Sequence, residues 1–353
     1  MKAFFRRLFA ALANFAVFFI TLAVACVLIH HNLPVPDVST VQSKLEQMKA
    51  HGDDYDTLFI GTSRIYHHII PQLFDQLTAE KGIPTKSFNA GVDGMRAPED
   101  GYLLDEILKF HPKHLRWVFV ESDSIRVPVD PRKRGTNRVV YWHDWPRLKL
   151  LFFESFNIKW PHHPAGVVRA VWAPLGDFYE HAQLFVVNMS NIGRGAFVST
   201  RLAHPSWPPV YWEPNGKSGD GFLEVKDRQH LSRDDRTKYE QMLAVRQEHP
   251  ARVDFGSDVS QEALWAMIRK IEAIGATPVL IVPPTTAGKN FYPALRNGVA
   301  PPVFDFADLQ RYPELYDEQY RLDTDHLNTP GAKVFTQCLV ERFAELAKPP
   351  QKN

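Results

Sequence analysis

Between Leu8 and Ile29 the chain reads LFAALANFAVFFITLAVACVLI, a run without a charge in which Asn14 and Thr21 are the only polar side chains. At about 1.5 Å per residue, roughly 22 helical residues cover about 33 Å, enough for a bilayer core of about 30 Å. Lys2, Arg6 and Arg7 precede the run, whereas His30, His31 and Asp37 follow it. The excess of positive charge on the first side predicts a single-pass protein of the inner (cytoplasmic) membrane, its N-terminus in the cytoplasm and the rest periplasmic or extracellular. A cleaved signal peptide is the competing reading. It fits less well, because the run exceeds the usual apolar region of about 7–15 residues and has no clear A-x-A site. A lipoprotein modified at Cys26 is weaker still, since apolar residues continue on both sides. Residues 1–31 are therefore read as a cytoplasmic tip and transmembrane anchor. Residues 32–54, with Pro34, Pro36 and the polar run Gln42 to Ala50, are read as a stalk.

The chain as a whole has an ordinary globular composition: 41 Lys and Arg against 40 Asp and Glu leave a net charge of +1. Such a balance provides no basic face for nucleic acid, and none is expected as a partner. Two cysteines, Cys26 and Cys338, are too few for a disulfide framework or a cysteine zinc site. Cys26 falls in the lipid run and Cys338 on the core side of the last helix, so no disulfide is expected. The histidines at 67–68, 111, 114 and 162–163 lack a carboxylate at ligand spacing, so no metal and no cofactor is expected. The chemistry is left to hydroxyl, imidazole and carboxylate groups.

From residue 55 onward, short apolar strands alternate with amphipathic helices. DTLFIGTSR, KSFNAGVDGM, LRWVFVESDS and ATPVLIVPP read as strands, and Gln261 to Ile274 and Pro330 to Leu346 as helices, the last with Ala332, Phe335, Leu339 and Phe343 on one face. The alternation predicts an α/β fold, a three-layer sandwich around a central parallel sheet, with reactive groups at the carboxyl ends of the strands. It is interrupted at 128–257 by an insert holding Trp142, Trp145, Trp160, Trp172, Trp207 and Trp212. These aromatics either build a small core of the insert's own or line a cleft and stack on sugar rings; Trp142 and Trp212 are the candidates for the second role. The expected division is a core in two parts, 55–127 and 258–347, a cap at 128–257 and a tail at 348–353.

Three segments carry chemistry. Gly61-Thr62-Ser63-Arg64 follows the first strand, where a serine is either an exposed nucleophile with its own N–H aimed at an oxyanion or a helix N-cap. The G-x-S-x-G elbow is absent, Ile65 standing in place of its second glycine. Asn89 to Gly94 forms a glycine turn that is not a dinucleotide fingerprint. Asp323-Thr-Asp-His326-Leu-Asn then opens the last helix: a carboxylate three residues before a histidine can fold back to hold Nδ1–H and leave Nε2 for a nucleophile. Asp325, adjoining His326, is expected to be solvated or to shape the loop. Arg64 is a candidate for an anionic substrate group, although an ion pair with Asp93 or Glu121 is its more ordinary use.

In their order and placement these segments resemble the first, second and fifth blocks of the SGNH, or GDSL-like, hydrolases, the D-x-x-H-L-N-x-x-G-A ending being the most specific part. The resemblance covers about 55–125 and 258–346 and implies an SGNH-like α/β core. It implies Ser63 as nucleophile, His326 as general base and Asp323 as the orienting carboxylate, with the oxyanion held by the N–H groups of Ser63 and Gly94. One block departs: Val120-Glu121-Ser122-Asp123 stands where the family has G-x-N-D, so Ser122, Asn89 or a group from the insert must replace the missing asparagine donor. With its anchor and insert, the chain is similar to the membrane-tethered branch that includes D-alanyl-transfer and polysaccharide O-acetylation proteins. That similarity implies a serine esterase or O-acyltransferase acting on acyl esters of an envelope or exported polysaccharide, beside a membrane-bound O-acyltransferase. The alternatives are a catalytically inactive glycan-binding or docking module of the same fold and a general hydrolase of lipids or small esters.

Overall fold

The computed structural model of the protein describes residues 2–32, 38–131, 136–157, 164–191, 203, 215–216, 218–225 and 230–348. They fall into two compact units, one of Met1–Val38 with Val127–Pro209 and the other of Ser39–Arg126 with Val210–Asn353.

The larger unit is a mixed α/β structure. After helix α2 (Ser39–His51), strand β1 (Thr57–Ile60) leads into the single turn α3 (Ser63–Tyr66) and helix α4 (Pro71–Glu80). Strand β2 (Ser87–Asn89), α5 (Glu99–Leu108) and β3 (Trp117–Glu121) follow. Beyond the other unit's residues come α9 (Arg233–Glu248), β4 (Arg252–Asp254), α10 (Asp258–Ala273), β5 (Thr277–Val282), β6 (Lys289–Phe291), β7 (Val303–Asp305) and α11 (Thr329–Ala347). Five strands form one parallel sheet in the order β2-β1-β3-β5-β7, and β4 and β6 pair in a small parallel sheet of their own. The chain steps from β1 outward to β2 and then to β3 on the opposite side, so the strand order reverses at β1. In open parallel sheets the crevice beyond the carboxyl end of such a strand is where ligands bind.

β1 is buried along its whole length, as its unbroken apolar run TLFI requires of a strand covered on both faces. Phe59 stacks on Phe119 of β3 at 4.9 Å, Phe74 of α4 meets Phe59 edge-on, and Phe343 of α11 closes the cluster. Ala332, Phe335, Leu339 and Phe343 of α11 are all buried, the face expected of its periodicity.

Three expectations change. The segment read as a stalk contains α2, which packs within the α/β unit: Val41, Leu45 and Met48, at i, i+4 and i+7, are buried together with Lys44. The insert is not one cap, since residues up to Pro209 belong to the smaller unit and those from Val210 to the larger. Cys338 is half-buried and bonds Glu314, because it lies at the flank of the α11 stripe.

The smaller unit contains α1 (Lys2–Asn32), α6 (Asn137–Val140), α7 (Trp145–Ser155) and α8 (Pro164–Met189). α1 is long and apolar enough to cross a membrane, and among the described residues none of its most apolar window is buried.

Candidate active site

Ser63 stands at the first position of α3, directly beyond β1. Thr62 caps this turn, its hydroxyl accepting the Arg64 N–H, and the Glu121 carboxylate at the end of β3 accepts the Thr62 N–H at 2.7 Å. The Ser63 N–H lies where a helix has no internal acceptor, which leaves it available to a developing oxyanion. Gly61 is required by the close fit, since a Cβ there would fall 2.3 Å from the Ile65 side chain and 2.6 Å from the Glu121 carboxylate.

The loop before α11 supplies the other two groups. Asn328 caps α11 through the Gly331 N–H, and its amide bonds the Gln319 carbonyl. The preceding residues turn back so that Asp323 Oδ1 accepts the N–H groups of Asp325 and His326, each at 2.8 Å. Both Asp323 oxygens lie 3.0 Å from His326 Nδ1, and His326 Nε2 lies 2.7 Å from Ser63 Oγ. A carboxylate beside Nδ1 places the ring proton there, so Nε2 carries a lone pair aimed at the serine hydroxyl. Burial works against the imidazolium of His326, but the Asp323 carboxylate, helped by Asp325 and Asp93, raises its pKa above the ordinary value. Burial likewise opposes the Asp323 carboxylate, and its bonds to His326 nevertheless push it down to about 2. Ser63, His326 and Asp323, separated by up to 263 positions, are thus brought into one relay. Asp325 is exposed, as its default role in the loop required.

The other candidates are used differently. Asn89 is fully buried: its amide donates to the carbonyls of Ile65 and Ile69 at 2.8 Å and its oxygen accepts the Gly91 N–H. Both polar atoms of that side chain are therefore engaged, the amide in bracing α3 and the residues after it and the oxygen in its own turn, and Asn89 is not an oxyanion donor. Ser122 gives its hydroxyl proton to the Phe291 carbonyl at 2.8 Å and is spent in the same sense. Gly94 has φ +62° in the turn after β2, and that turn is tied to the exit of β1 by the Val92 N–H on the Gly61 carbonyl. Arg64 ion-pairs with buried Glu121 at 2.6 Å, the more ordinary of its two uses. Trp142 belongs to the smaller unit, where it is buried and stacked on His143 at 3.8 Å, so its faces are not available to a sugar. Trp212 lies outside the described residues.

Two residues to which sequence reasoning gave no place among the site residues also shape the site. His68 is fully buried, and its Nε2 accepts the Leu327 N–H at 2.9 Å, fixing the residue next to His326. Its burial, with the nearby charges of His326 and His67, holds its pKa well below the ordinary value, which keeps the accepting lone pair. Glu121 holds both residues flanking Ser63, through the Thr62 N–H and the Arg64 guanidinium. A carboxylate ending the apolar run WVFVE was the available signal, since a buried charge needs partners. No protein-family model and no curated protein sequence matches the chain.

Proposed function

We propose that the protein is a membrane-tethered serine esterase or O-acyltransferase of the SGNH type, with a three-layer core and α1 as its anchor, acting on acyl esters of an envelope or exported polysaccharide. The observation that carries this reading is the unbroken relay from Ser63 Oγ through His326 to Asp323. Its place beyond the strand where the sheet order reverses adds support.

In this mechanism Ser63 Oγ attacks the ester carbonyl while its proton passes to His326 Nε2, and Asp323 stabilises the imidazolium. The Ser63 N–H, with Gly94 as the second candidate donor, holds the oxyanion of the tetrahedral intermediate. Collapse breaks the ester bond, and His326 returns the proton to the departing alcohol. A sugar hydroxyl or water then attacks the acyl-serine, giving its proton to His326, and the acyl group leaves on the acceptor as Ser63 is regenerated. Transfer prevails over hydrolysis where the acceptor is held and water excluded. A membrane-bound O-acyltransferase is the proposed source of the acyl group, and the α/β unit is proposed to face the periplasm or the exterior.

The test is a fluorophosphonate probe and an aryl acetate applied to the full chain in detergent, beside Ser63→Ala and His326→Ala. Labelling and turnover in the wild type, lost in Ser63→Ala, are expected. Labelling that persists in Ser63→Ala overturns the nucleophile, and none in the wild type makes the protein an inactive binding module.

A further inference from the structure

Helix α8 is turned inside out relative to a helix of a water-soluble domain. Its inward face is polar. His181 Nδ1 lies 2.8 Å from His143 Nε2, His181 Nε2 donates to the Val127 carbonyl, and the Asn188 amide bonds the carbonyls of Tyr141 and His143. His181 and Asn188 are both buried, so these bonds settle which side of α8 faces the protein.

The opposite side carries Trp172, Leu175, Tyr179 and Val186, spaced i, i+3, i+7 and i+14. At about 100° per residue they fall within roughly 60° of arc. Trp172 is 68% exposed, Tyr179 64% and Val186 59%. Asp177 and Glu180 fall outside this stripe. α7 runs beside it, with Phe152 on Phe178 at 5.1 Å and Trp145 on Phe185 at 6.1 Å, and adds exposed Trp145, Phe152 and Phe153. Five aromatic rings, each with about 150–250 Å² of surface and each about half exposed, leave an apolar patch of roughly 500 Å². That is at the upper end of what a protein surface leaves open to water.

α8 is bonded to α1 within the same unit. Just beyond the end of α8, Asn191 donates to the carbonyl of Cys26 at 2.9 Å and meets His30 Nδ1 at 3.2 Å. Cys26 lies in the last turns of the apolar run of α1, within about 6 Å of its end at 1.5 Å per residue. α8 is therefore tied to α1 at the depth where hydrocarbon gives way to headgroups, and the exposed length of α1 shows that α8 does not run along it. Trp and Tyr prefer that depth, and an amphipathic helix lying there sinks its apolar face about 5–10 Å.

We propose that α7 and α8 form a monotopic lipid-binding face, with the Trp145, Trp172, Leu175 and Tyr179 side chains seated in the leaflet into which α1 emerges. The occupant is the bilayer itself. This inference rests on α1 as the anchor.

The full chain is reconstituted in nanodiscs of phosphatidylcholine and phosphatidylglycerol whose acyl chains are brominated near the glycerol end, and tryptophan emission is compared with unbrominated discs. α1 contains no tryptophan, so quenching by the chains must come from another segment. Trp145 and Trp172 are two of eight tryptophans, so the expected loss is up to about a quarter of the emission. The double variant Trp145→Phe, Trp172→Phe abolishes most of that loss while labelling at Ser63 continues. Quenching that is absent, or that survives the double variant, overturns the proposal. In the first case, a photocrosslinker at position 172 that captures a single protein in native membranes assigns the face to a protein partner. Release of the full chain from membranes by alkaline carbonate is a separate outcome, which overturns the anchor and this inference with it.

Discussion

Replacing Asp323 with asparagine tests the relay while leaving its shape nearly unchanged. The carboxylate takes the Asp325 and His326 N–H groups on Oδ1 and faces His326 Nδ1 with both oxygens. An asparagine keeps one oxygen for the two backbone donors and turns an N–H toward Nδ1. The imidazole then carries its proton on Nε2, pointing at Ser63 Oγ, and cannot accept the serine proton. In a serine protease the same change costs about 10⁴ in kcat, which corresponds to about 5 kcal/mol of barrier. A loss of 10³–10⁴ in aryl acetate hydrolysis is expected here. The pH profile adds a second readout. In the proposed mechanism hydrolysis needs neutral His326, whose raised pKa is expected to put the rising limb of the wild-type profile at higher pH than an ordinary histidine would. Without Asp323, burial dominates and the limb moves to lower pH. The carboxylate also stabilises the fold, because its pKa of about 2 lies below that of an unfolded aspartate. The contribution is present above about pH 4 and is lost as the pH falls through 2. A shift of nearly two units corresponds to at most about 2.5 kcal/mol, and partial exposure to water reduces it to about 1–2 kcal/mol. Hydrolysis within tenfold of wild type, or a limb that does not move, refutes the assignment of Asp323.

His68→Leu leaves the buried Leu327 N–H without an acceptor and is expected to lower stability in urea by about 1–3 kcal/mol and to slow fluorophosphonate labelling. His68→Gln, which keeps an acceptor, is expected to recover part of both, and equal behaviour of the two variants would argue against the positioning role. Glu121→Gln removes the partner of Arg64 and is expected to cost about 3 kcal/mol, seen as a lower urea midpoint with unchanged slope. A Cβ at Gly91 would fall 2.5 Å from the Tyr66 backbone nitrogen, so Gly91→Ala is expected to displace α3 by about 1 Å and slow labelling about 10²-fold. A labelling rate equal to wild type would show that the turn yields instead of α3.

Local signals explain what could be read before any coordinates. Three of the five strands of the main sheet, β1, β3 and β5, are runs rich in β-branched or aromatic residues, and the short β2 was marked by the glycine turn that follows it. Asp323 reaches His326 because three residues and an Asn328 cap suffice to fold the loop back, a geometry contained within one stretch of chain. β7, as short as β2, escaped because no glycine turn follows Val303–Asp305 to mark its end. α2 was legible in principle, its Val41, Leu45 and Met48 spaced as one helical face, but the polar residues between them dominate a reading by composition.

The sequence by itself determined that this chain has a helix able to cross a membrane, an alternating α/β order, and an aspartate placed to hold His326, because each depends on neighbours a few residues apart; Ser63, 263 positions away, was joined to them only by the resemblance of its segment. Tertiary structure alone decided that Asn89 and Ser122 are consumed as braces, that His68 steadies the loop of His326, that Glu121 holds both residues beside Ser63, and that Trp142 packs on His143. In each of these cases the partner lies elsewhere in the chain or the side chain's two uses differ only in burial. A buried polar group bonds what the fold places beside it, and the residue type does not say what that is.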